Sequence, residues 1–320
     1  MKLTTQIAGL EQASVLPPKP LHLAIGMFDG VHLGHRAVID AAVLSARLSG
    51  GIAAALTFNP HPSRIFRPDD PVELLLPHAL NASRLRDAGL DTVITQTFSR
   101  EFAAIEASAL VPMLCEALPG LAGIYVGENW RFGRRRSGDV HLLVREGRKA
   151  GLKVFSAPRV NLDGDPISST RIRAALREGR IEEVNTLLGY VYHVEGVVVP
   201  GRKIGRTIGF PTLNVSWHPE CAPRYGVYAV RVFAPGETRA RAGVANFGLR
   251  PTVDDTREPL LEVHLLSAPD FGEGAAVRVE WCRFIRAEQR FAGVDALREQ
   301  IARDVTTATA YFDSQISGRE

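Results

Sequence analysis

Cysteine is scarce in this chain of 320 residues, and the three that occur, Cys115, Cys221 and Cys282, lie far apart. An odd number of cysteines without a C-x-x-C pair indicates neither a disulfide framework nor a zinc site. Such cysteine use is typical of a reducing compartment, so we expect a cytoplasmic protein. The sequence also lacks the roughly 20 consecutive apolar residues of a membrane span and the apolar core of a signal peptide. We therefore expect no membrane partner.

A charge excess of one sign is also missing. Lys and Arg together number 38 against 35 for Asp and Glu, which gives a net charge of +3. This balance argues against nucleic acid as a general partner. Hydrophobic residues make up 45% of the chain, a share typical of globular proteins, and the length favours two domains.

Short apolar strands alternate with helical patterns in the first half of the chain. This alternation predicts a parallel sheet with helices on both faces. The strands are predicted at 21–25, 52–58, 92–97, 123–126 and 153–157, and the helices at 36–48, 81–88, 107–117 and 140–150.

The second half has a different rhythm. Two helices, 171–178 and 181–188, are followed by β-rich segments that turn residues separate. The segments are predicted at 191–199, 227–233, 241–246, 260–266 and 276–284, with one more helix at 294–304. Strands without intervening helices predict an antiparallel barrel or sandwich, here closed by a C-terminal helix. We place the domains at residues 1–186 and 187–320.

A glycine-rich run, G-M-F-D-G-V-H-L-G-H at 26–35, joins the first predicted strand to the first helix. Backbone N–H groups and the positive end of the helix dipole make such a turn an anion site. His32 and His35, three residues apart, add side-chain donors on one helix face. A metal pair, or a helix start that happens to contain histidine, is the simpler alternative.

Two further segments follow strands. Asn59-Pro60-His61-Pro62 is either a strand-terminating turn or, because ligands bind at the carboxyl ends of parallel strands, part of the same crevice. The segment 127–139 holds four arginines with Trp130 and Phe132 among them. It is either a solvated basic surface or a site for a phosphorylated ring system, and RNA would suit the same composition.

Ser168, Ser169 and Thr170 begin the helix at 171–178, with Arg173 one turn further. Hydroxyl side chains at this point are good helix caps in any protein. They also offer a second helix N-terminus for an anion, with Arg173 as a charged partner.

Together these four segments resemble the nucleotidyltransferase half of the prokaryotic bifunctional riboflavin kinase/FAD synthetase family. The shared motifs are G-x-F-D-G-x-H-x-G-H (26–35), F-x-P-H-P (58–62), V-G-x-N-x-R-F-G (126–133) and I-S-S-T-x-I-R (167–173). The resemblance implies a Rossmann-like α/β fold in which His32, His35 and Arg173 stabilise the α-phosphate of ATP. It implies ATP and flavin binding by Gly26, Phe28, Asp29, Gly34, Asn59, His61, Asn129, Arg131, Phe132, Ser168, Ser169 and Thr170.

The segment 201–214 is rich in glycine and basic residues but lacks the spacing of a Walker P-loop. Thr212 and Asn214, two residues apart on an extended segment, point to one face, and their hard oxygens suit Mg²⁺. An ordinary strand that begins near a proline is the alternative. Glu262 and His264 share a strand face, where Glu262 is either solvent-facing or a general base.

This half is similar to the riboflavin kinase domain of the same family from about Gly189 onward. The motifs are G-R-x-I-G-F-P-T-x-N (205–214), G-V-Y (226–228), N-x-G-x-R-P-T-V (246–253), E-x-H-L-L (262–266) and F-I-R-x-E-x-x-F (284–291). The resemblance implies Mg²⁺ and phosphate contacts for Thr212 and Asn214, and Glu262 as the base for the ribityl 5′-hydroxyl. It implies substrate contacts for Gly205, Arg206, Gly209, Pro211 and Arg286.

Two departures from the family lie in this half. After the Glu strand the family commonly has Leu-Asp-Phe and then Leu/Phe-Tyr-Gly, whereas this chain has Leu266-Ser267 and Asp270-Phe271-Gly272, one aromatic residue fewer. This loop difference bears on flavin packing and affinity more than on the chemistry. Leu213 stands where alanine is usual.

We therefore expect an enzyme with a Rossmann-like nucleotidyltransferase domain followed by an antiparallel β-barrel domain with a C-terminal helix. It would phosphorylate riboflavin to FMN and adenylylate FMN to FAD, with Mg²⁺ and ATP. Small molecules (riboflavin, FMN and ATP) would be its partners. The sequence leaves open whether the chain forms a homo-oligomer. A riboflavin kinase with a non-catalytic first domain, and a non-catalytic flavin- or RNA-binding module, are the alternatives.

Overall fold

The computed structural model describes residues 5–201, 205, 208–234, 236–251 and 257–317. The chain forms two compact units, residues 1–169 and 170–320. The two compact units divide after residue 169. The domain boundary that we predict after residue 186 stays a prediction.

A six-stranded parallel sheet forms the centre of the first unit, with strand order β1-β4-β3-β2-β5-β6. The strands are β1 (Thr5–Ala8), β2 (Leu21–Ile25), β3 (Ile52–Asn59), β4 (Thr92–Thr97), β5 (Leu121–Gly127) and β6 (Lys153–Ala157). Every residue of β2 is buried, because helices cover both sides of the sheet. The prediction of a parallel α/β sheet is confirmed.

Helices on the two sides of the sheet complete two apolar clusters. Leu23 belongs to one cluster and its neighbour Ala24 to the other, and both have no exposed surface. The helices are α1 (Leu33–Ser49), α2 (Pro62–Phe66), α3 (His78–Asp87), α4 (Arg100–Ala103), α5 (Leu110–Ala117) and α6 (Val140–Lys149). A short hairpin, β7 (Asn161–Leu162) and β8 (Asp165–Pro166), ends the unit.

The second unit begins with α7 (Ser169–Glu178) and α8 (Ile181–Leu188) and continues as a closed barrel. The barrel order is β10-β13-β12-β11-β14-β9, and every pairing is antiparallel. Its strands are β9 (His193–Val199), β10 (Leu213–Ser216), β11 (Gly226–Phe233), β12 (Arg241–Pro251), β13 (Arg257–Leu265) and β14 (Ala276–Ala287). A C-terminal helix, α9 (Val294–Ser317), follows. The predicted barrel with its C-terminal helix is confirmed.

Aromatic side chains fill the barrel around Trp281, which has no exposed surface. Tyr228 meets it edge-on at 4.6 Å between ring centroids, and Phe247 and Trp217 lie at 5.6 Å. Side chains of this size fill the interior of a small barrel.

Among the described residues, none of the helices combines the length and the apolar character that crossing a lipid bilayer would require.

Candidate active sites

The turn between β2 and α1 has an unusual backbone. Phe28, Gly30 and Val31 take positive φ angles of 50°, 82° and 41°. Such angles are costly for Phe and Val, and they persist where the surroundings enforce them. Burial supplies that enforcement, because the Phe28 side chain is 2% exposed and the Val31 side chain 3% exposed. The predicted phosphate-binding turn is therefore a rigid, preformed structure.

His32 and His35 come together at the start of α1. Their rings stack with centroids 3.6 Å apart and an interplanar angle of 16°. His32 is the N-cap of the helix, and its Nδ1 accepts a hydrogen bond from the backbone N–H of His35 at 3.2 Å. Burial, and then the neighbouring His32, hold the pKa of His35 well below its usual value. His35 is thus neutral at physiological pH.

The two predicted glycines of this turn give room to aromatic rings of the protein itself. A Cβ atom at Gly26 would lie 3.1 Å from the Phe28 ring, and one at Gly34 would lie 3.1 Å from the His32 ring. Phe28 in turn meets His35 edge-on at 5.4 Å. These close approaches hold the histidine pair in place.

Asp29 ties three segments of the first unit together. Its buried carboxylate accepts hydrogen bonds from the backbone N–H of Leu75, at 3.0 and 3.2 Å. Its backbone carbonyl accepts one from the Ser169 hydroxyl at 3.0 Å. The next residue, Gly30, donates its N–H to the Asn81 side chain at 3.0 Å. Asp29 therefore serves the turn as an anchor.

Asn59 and His61 lie at the carboxyl end of β3, the edge of the sheet that also carries the β2–α1 turn. Thr57 donates to the Met27 carbonyl at 3.2 Å and so connects the two strand ends. Asn59 is exposed. The His61 Nδ1 accepts from the Ser63 backbone N–H at 3.1 Å and caps α2, which fixes the orientation of its ring.

The arginine-rich loop presents its charges to solvent and its aromatic rings to the protein. Phe132 is 7% exposed and stacks on Trp130 at 4.6 Å. Asn129 and Arg131 are exposed, and Arg131 forms an ion pair with Asp139 at 3.3 Å. The two rings stack on each other, Phe132 contributes to the core, and the ligand-binding role of this loop stays a prediction.

The segment around α7 spans both units. Ser168 and Ser169 are half-buried in the first unit, while Thr170 is exposed and Arg173 half-buried in the second. Ser169 is the first residue of α7. The predicted helix is confirmed, but it begins two residues earlier than predicted, so Ser169 and Thr170 lie within it and not before it as caps. The phosphate role of these residues stays a prediction.

An aromatic cluster that the sequence analysis missed lies beside Asn59. Phe58 packs against Phe98 and Phe102 at 5.9 and 5.6 Å, and Phe66 meets Phe98 at 6.0 Å. Phe66 is 57% exposed. The cluster gathers the ends of β3 and β4 with α2 and α4, so only the folded chain brings its members together.

One row of side chains crosses the barrel at the second candidate site. Asn214 of β10 lies opposite Glu262 of β13, which lies opposite Asn246 of β12. Across β11 the row continues through Val227 to Arg286 of β14. Residues that lie opposite each other in antiparallel strands share a face. All five line one cavity of about 430 Å³.

A second cavity, of about 570 Å³, adjoins the first. Thr212, Asn214 and His264 line both cavities. The loop that differs from the family pattern, between Ser267 and Gly272, forms one wall of the second cavity through Phe271 and its neighbours. These volumes are those of ligand sites for small molecules.

Arg286 is held by the C-terminal helix. Its guanidinium forms a two-pronged ion pair with Asp304, at 2.9 and 2.8 Å from Nε and Nη2. Asp304 is 2% exposed, and Gln300 also donates to it at 2.9 Å. Arg286 therefore lines the cavity with a fixed guanidinium, not a mobile one.

The segment that leads into β10 makes its own compact turn. Phe210 donates its backbone N–H to the Gly205 carbonyl at 2.8 Å, and a Cβ atom at Gly205 would collide with the Phe210 carbonyl. Gly209 has a φ of 88°, which favours glycine. Pro211 follows this turn. Arg206 lies outside the described residues.

Sequence comparison with known families covers nearly the whole chain. The FAD synthetase family matches residues 17–171, and the riboflavin kinase family matches residues 188–312. A bifunctional riboflavin kinase/FMN adenylyltransferase of Escherichia coli K12 is 38% identical over 98% of both chains. One from Bacillus subtilis is 34% identical over 91% of this chain and 92% of its own length. The chain belongs to the bifunctional riboflavin kinase/FMN adenylyltransferase family.

A solved structure supports the fold over a similar span. The crystal structure entitled macrolide-efflux protein from Streptococcus pneumoniae is 28% identical, with a TM-score of 0.86 over 95% of this chain and 98% of its own. Each candidate site lies within one of the two family matches. The His32–His35 turn lies in the FAD synthetase match, and the Glu262 row lies in the riboflavin kinase match. The family resemblance of both sequence halves is confirmed.

Several residues that line the kinase-family cavity were not predicted as site residues. They are Asn246, Glu288 and Asp304. Asn246 is the first residue of the N-x-G-x-R-P-T-V motif. Its position opposite Glu262 depends on the register of β12 with β13. In the first unit, Asn81 and Leu75 hold the turn and carry no local sequence signal.

Proposed function

We infer that this chain makes both flavin cofactors in two steps. The barrel transfers the γ-phosphoryl group of ATP to riboflavin, which gives FMN and ADP. The α/β unit then transfers AMP from a second ATP to FMN, which gives FAD and pyrophosphate. The observation that carries this conclusion is the pair of preformed sites, the His32–His35 turn and the Glu262 row, each within its own family match.

Glu262 is the group that we assign to the riboflavin hydroxyl. A carboxylate beside the ribityl 5′-hydroxyl takes its proton as the oxygen bonds to the γ-phosphorus, while the bond to the ADP oxygen breaks. Its neighbours across the strands are amides, Asn214 and Asn246. Amides place no second negative charge beside Glu262.

Two adjoining cavities support a division between the substrates. The cavity of about 430 Å³ contains Glu262, so we assign riboflavin to it. The adjoining cavity of about 570 Å³ would then hold ATP. Thr212 and Asn214 belong to both, and the phosphoryl group has to pass between the substrates at such a shared border.

The donors at this border fit a magnesium ion. Thr212 and Asn214 offer a hydroxyl and an amide oxygen, and the Glu262 carboxylate lies opposite Asn214. Within the described ranges no three His, Cys, Asp or Glu side chains form a metal-binding group. Mg²⁺ does not need one, because it keeps waters and takes other ligands from substrate phosphates. Bound there, it would neutralise charge on the transferring phosphoryl group.

The adenylyl-transfer site works by hydrogen bonding and position. Because the Nδ1 atom of His32 accepts the His35 N–H, the hydrogen of the ring lies on Nε2, and we assign this donor to the α-phosphate. The backbone N–H groups at the start of α1 add further donors. Together they would stabilise charge on the α-phosphate as the FMN phosphate attacks it. For Arg173 of α7, the phosphate role that the family resemblance implies stays a prediction.

The kinase-only alternative would require a first site that has lost its structure. The His32–His35 stack and the Asp29 anchors are in place, which favours two activities. We further propose that the protein acts in the cytoplasm on small molecules, without a nucleic-acid partner.

Product analysis tests the two-step function. The purified chain is incubated with riboflavin, ATP and Mg²⁺, and FMN and FAD are resolved over time. FMN should rise first and FAD should follow. A parallel reaction that starts from FMN should give FAD directly. FMN accumulation without FAD in both reactions would support the kinase-only alternative, and salt-dependent RNA binding without ATP turnover would support the binding module.

A further inference from the structure

Pro211 interrupts the pairing of β10 with β13 at the edge of the kinase cavity. The two strands pair from Leu213 opposite Val263, so Thr212 stands opposite His264 just beyond the end of the ladder. Proline has no N–H group to donate to a neighbouring strand. Thr212 therefore lies just beyond the end of the backbone ladder, whereas Asn214 and Glu262 lie within it.

The side chain of His264 contacts the backbone of the partner segment just beyond the end of the ladder. Its Nδ1 atom lies 2.8 Å from the Pro211 carbonyl oxygen. Because that carbonyl can only accept, Nδ1 must carry the hydrogen and donate it. The ring also meets Phe210 edge-on at 5.3 Å. One side chain thus holds residues 210 and 211 against β13.

His264 stands two residues from Glu262 on the same strand face, and it lines both cavities. Its Nε2 atom has no hydrogen-bond partner within the described part of the chain. The two ring nitrogens therefore have different surroundings: Nδ1 is bonded to the protein, and Nε2 is not.

Resting on the proposed kinase function, we propose that His264 is a positioning residue of the phosphoryl-transfer site. Its Nδ1–H group holds the Pro211 carbonyl and so keeps Thr212 facing the phosphates at the border of the two cavities. His264 acts through the backbone of Pro211 and does not itself move a proton or contact the transferred group.

Three substitutions of His264 in the full chain distinguish the role of Nδ1 from that of Nε2. His264→Asn places an amide N–H group near the position of Nδ1. His264→Gln reaches the position of Nε2 instead, and His264→Ala removes both. The measurements are kcat and KM for ATP in FMN formation, and the Mg²⁺ concentration that gives half-maximal rate. FAD formation from supplied FMN is the control for a folded chain.

We expect His264→Ala and His264→Gln to lower kcat/KM for FMN formation about tenfold, the effect of one hydrogen bond. Both should also raise the Mg²⁺ requirement, because Thr212 is displaced. His264→Asn should stay within about threefold of the wild-type chain, since its donor replaces Nδ1–H. FAD formation from supplied FMN should not change in any of them.

Activity retained by His264→Gln and lost by His264→Asn would overturn the proposal, because Nε2 would then act on substrate directly. Equal rates in all variants, or equal losses in all three, would also overturn it. The wild-type chain is assayed first. If it makes no FMN, the kinase function itself fails, which is distinct from a wild-type chain that makes FMN and variants that do not differ.

Discussion

His32 and His35 lie ring against ring, 3.6 Å apart, at the first turn of α1. Burial, and then the neighbouring His32, hold the pKa of His35 well below its usual value. In the adenylyl-transfer role that we propose for the pair, the helix N-terminus supplies the attraction for the anion.

Removing His32 should separate the two activities. We expect His32→Ala to lower FAD formation from supplied FMN about 100-fold or more, the effect of losing one donor to a developing oxyanion. FMN formation from riboflavin should remain, because the barrel carries its own site. Both rates are measured on the same preparation by product chromatography.

His32→Asn is the matched control for the structural part of this role. An asparagine oxygen can replace Nδ1 as the acceptor at the helix cap, so the chain should regain the stability that His32→Ala loses. It lacks an Nε2 donor, so FAD formation should stay low. Normal FAD output from either variant would contradict the role of His32 in adenylyl transfer.

Glu262→Gln should have the opposite effect on the two products. A glutamine fits between Asn214 and Asn246 but cannot take a proton, so FMN formation should fall about 100-fold or more. FAD formation from supplied FMN should be unchanged. Glu195→Gln, at an exposed position on β9, should leave both rates as they are. Equal losses of both activities in Glu262→Gln would show that the two sites are not independent.

Local patterns in the sequence were sufficient for most elements of the fold. The predicted strands at 21–25, 92–97 and 153–157 and the helix at 181–188 coincide with the observed bounds. Apolar runs and turn residues gave a clear signal there. By contrast, β1 is a four-residue strand at the edge of the sheet that begins with Thr5 and Gln6, and no periodicity can emerge from so short a segment.

The candidate sites were predictable only as far as their motifs are local. His32 and His35 are neighbours in sequence, so their common helix face followed from spacing. The Glu262 row joins strands that are far apart along the chain, and its order depends on strand register.

The C-terminal helix α9 is longer than predicted, since it runs to Ser317 and not to residue 304. Asp304 was read as the end of a helix, whereas it is a buried partner of Arg286.

Breaking the Arg286–Asp304 pair should destabilise the barrel unit. Asp304→Ala leaves a largely buried guanidinium without its carboxylate, and we expect a loss of about 3 kcal/mol in the free energy of unfolding. Urea unfolding of the full chain, followed by tryptophan fluorescence, measures it. Glu299→Ala removes an exposed ion pair with Arg303 on the same helix and should change stability by less than about 0.5 kcal/mol. Similar losses in both variants would argue against a special role for the buried pair.

The first unit should lose stability as the pH falls below about 6.5, the usual pKa of an unfolded histidine. Burial lowers the pKa of His22, which contacts Tyr125 and Ser49 at 2.8 and 2.9 Å, and burial lowers the pKa of His35 as well. In this range the unfolded chain binds protons that the folded chain does not, so stability rises with pH and is lost on acidification. The slope is about 1.4 kcal/mol per pH unit for each such proton. His22→Leu should reduce the slope of the free energy of unfolding against pH between pH 7 and 5, as measured by urea unfolding at several pH values. An unchanged slope in His22→Leu would mean that His22 takes up its proton equally in both states, contrary to its burial.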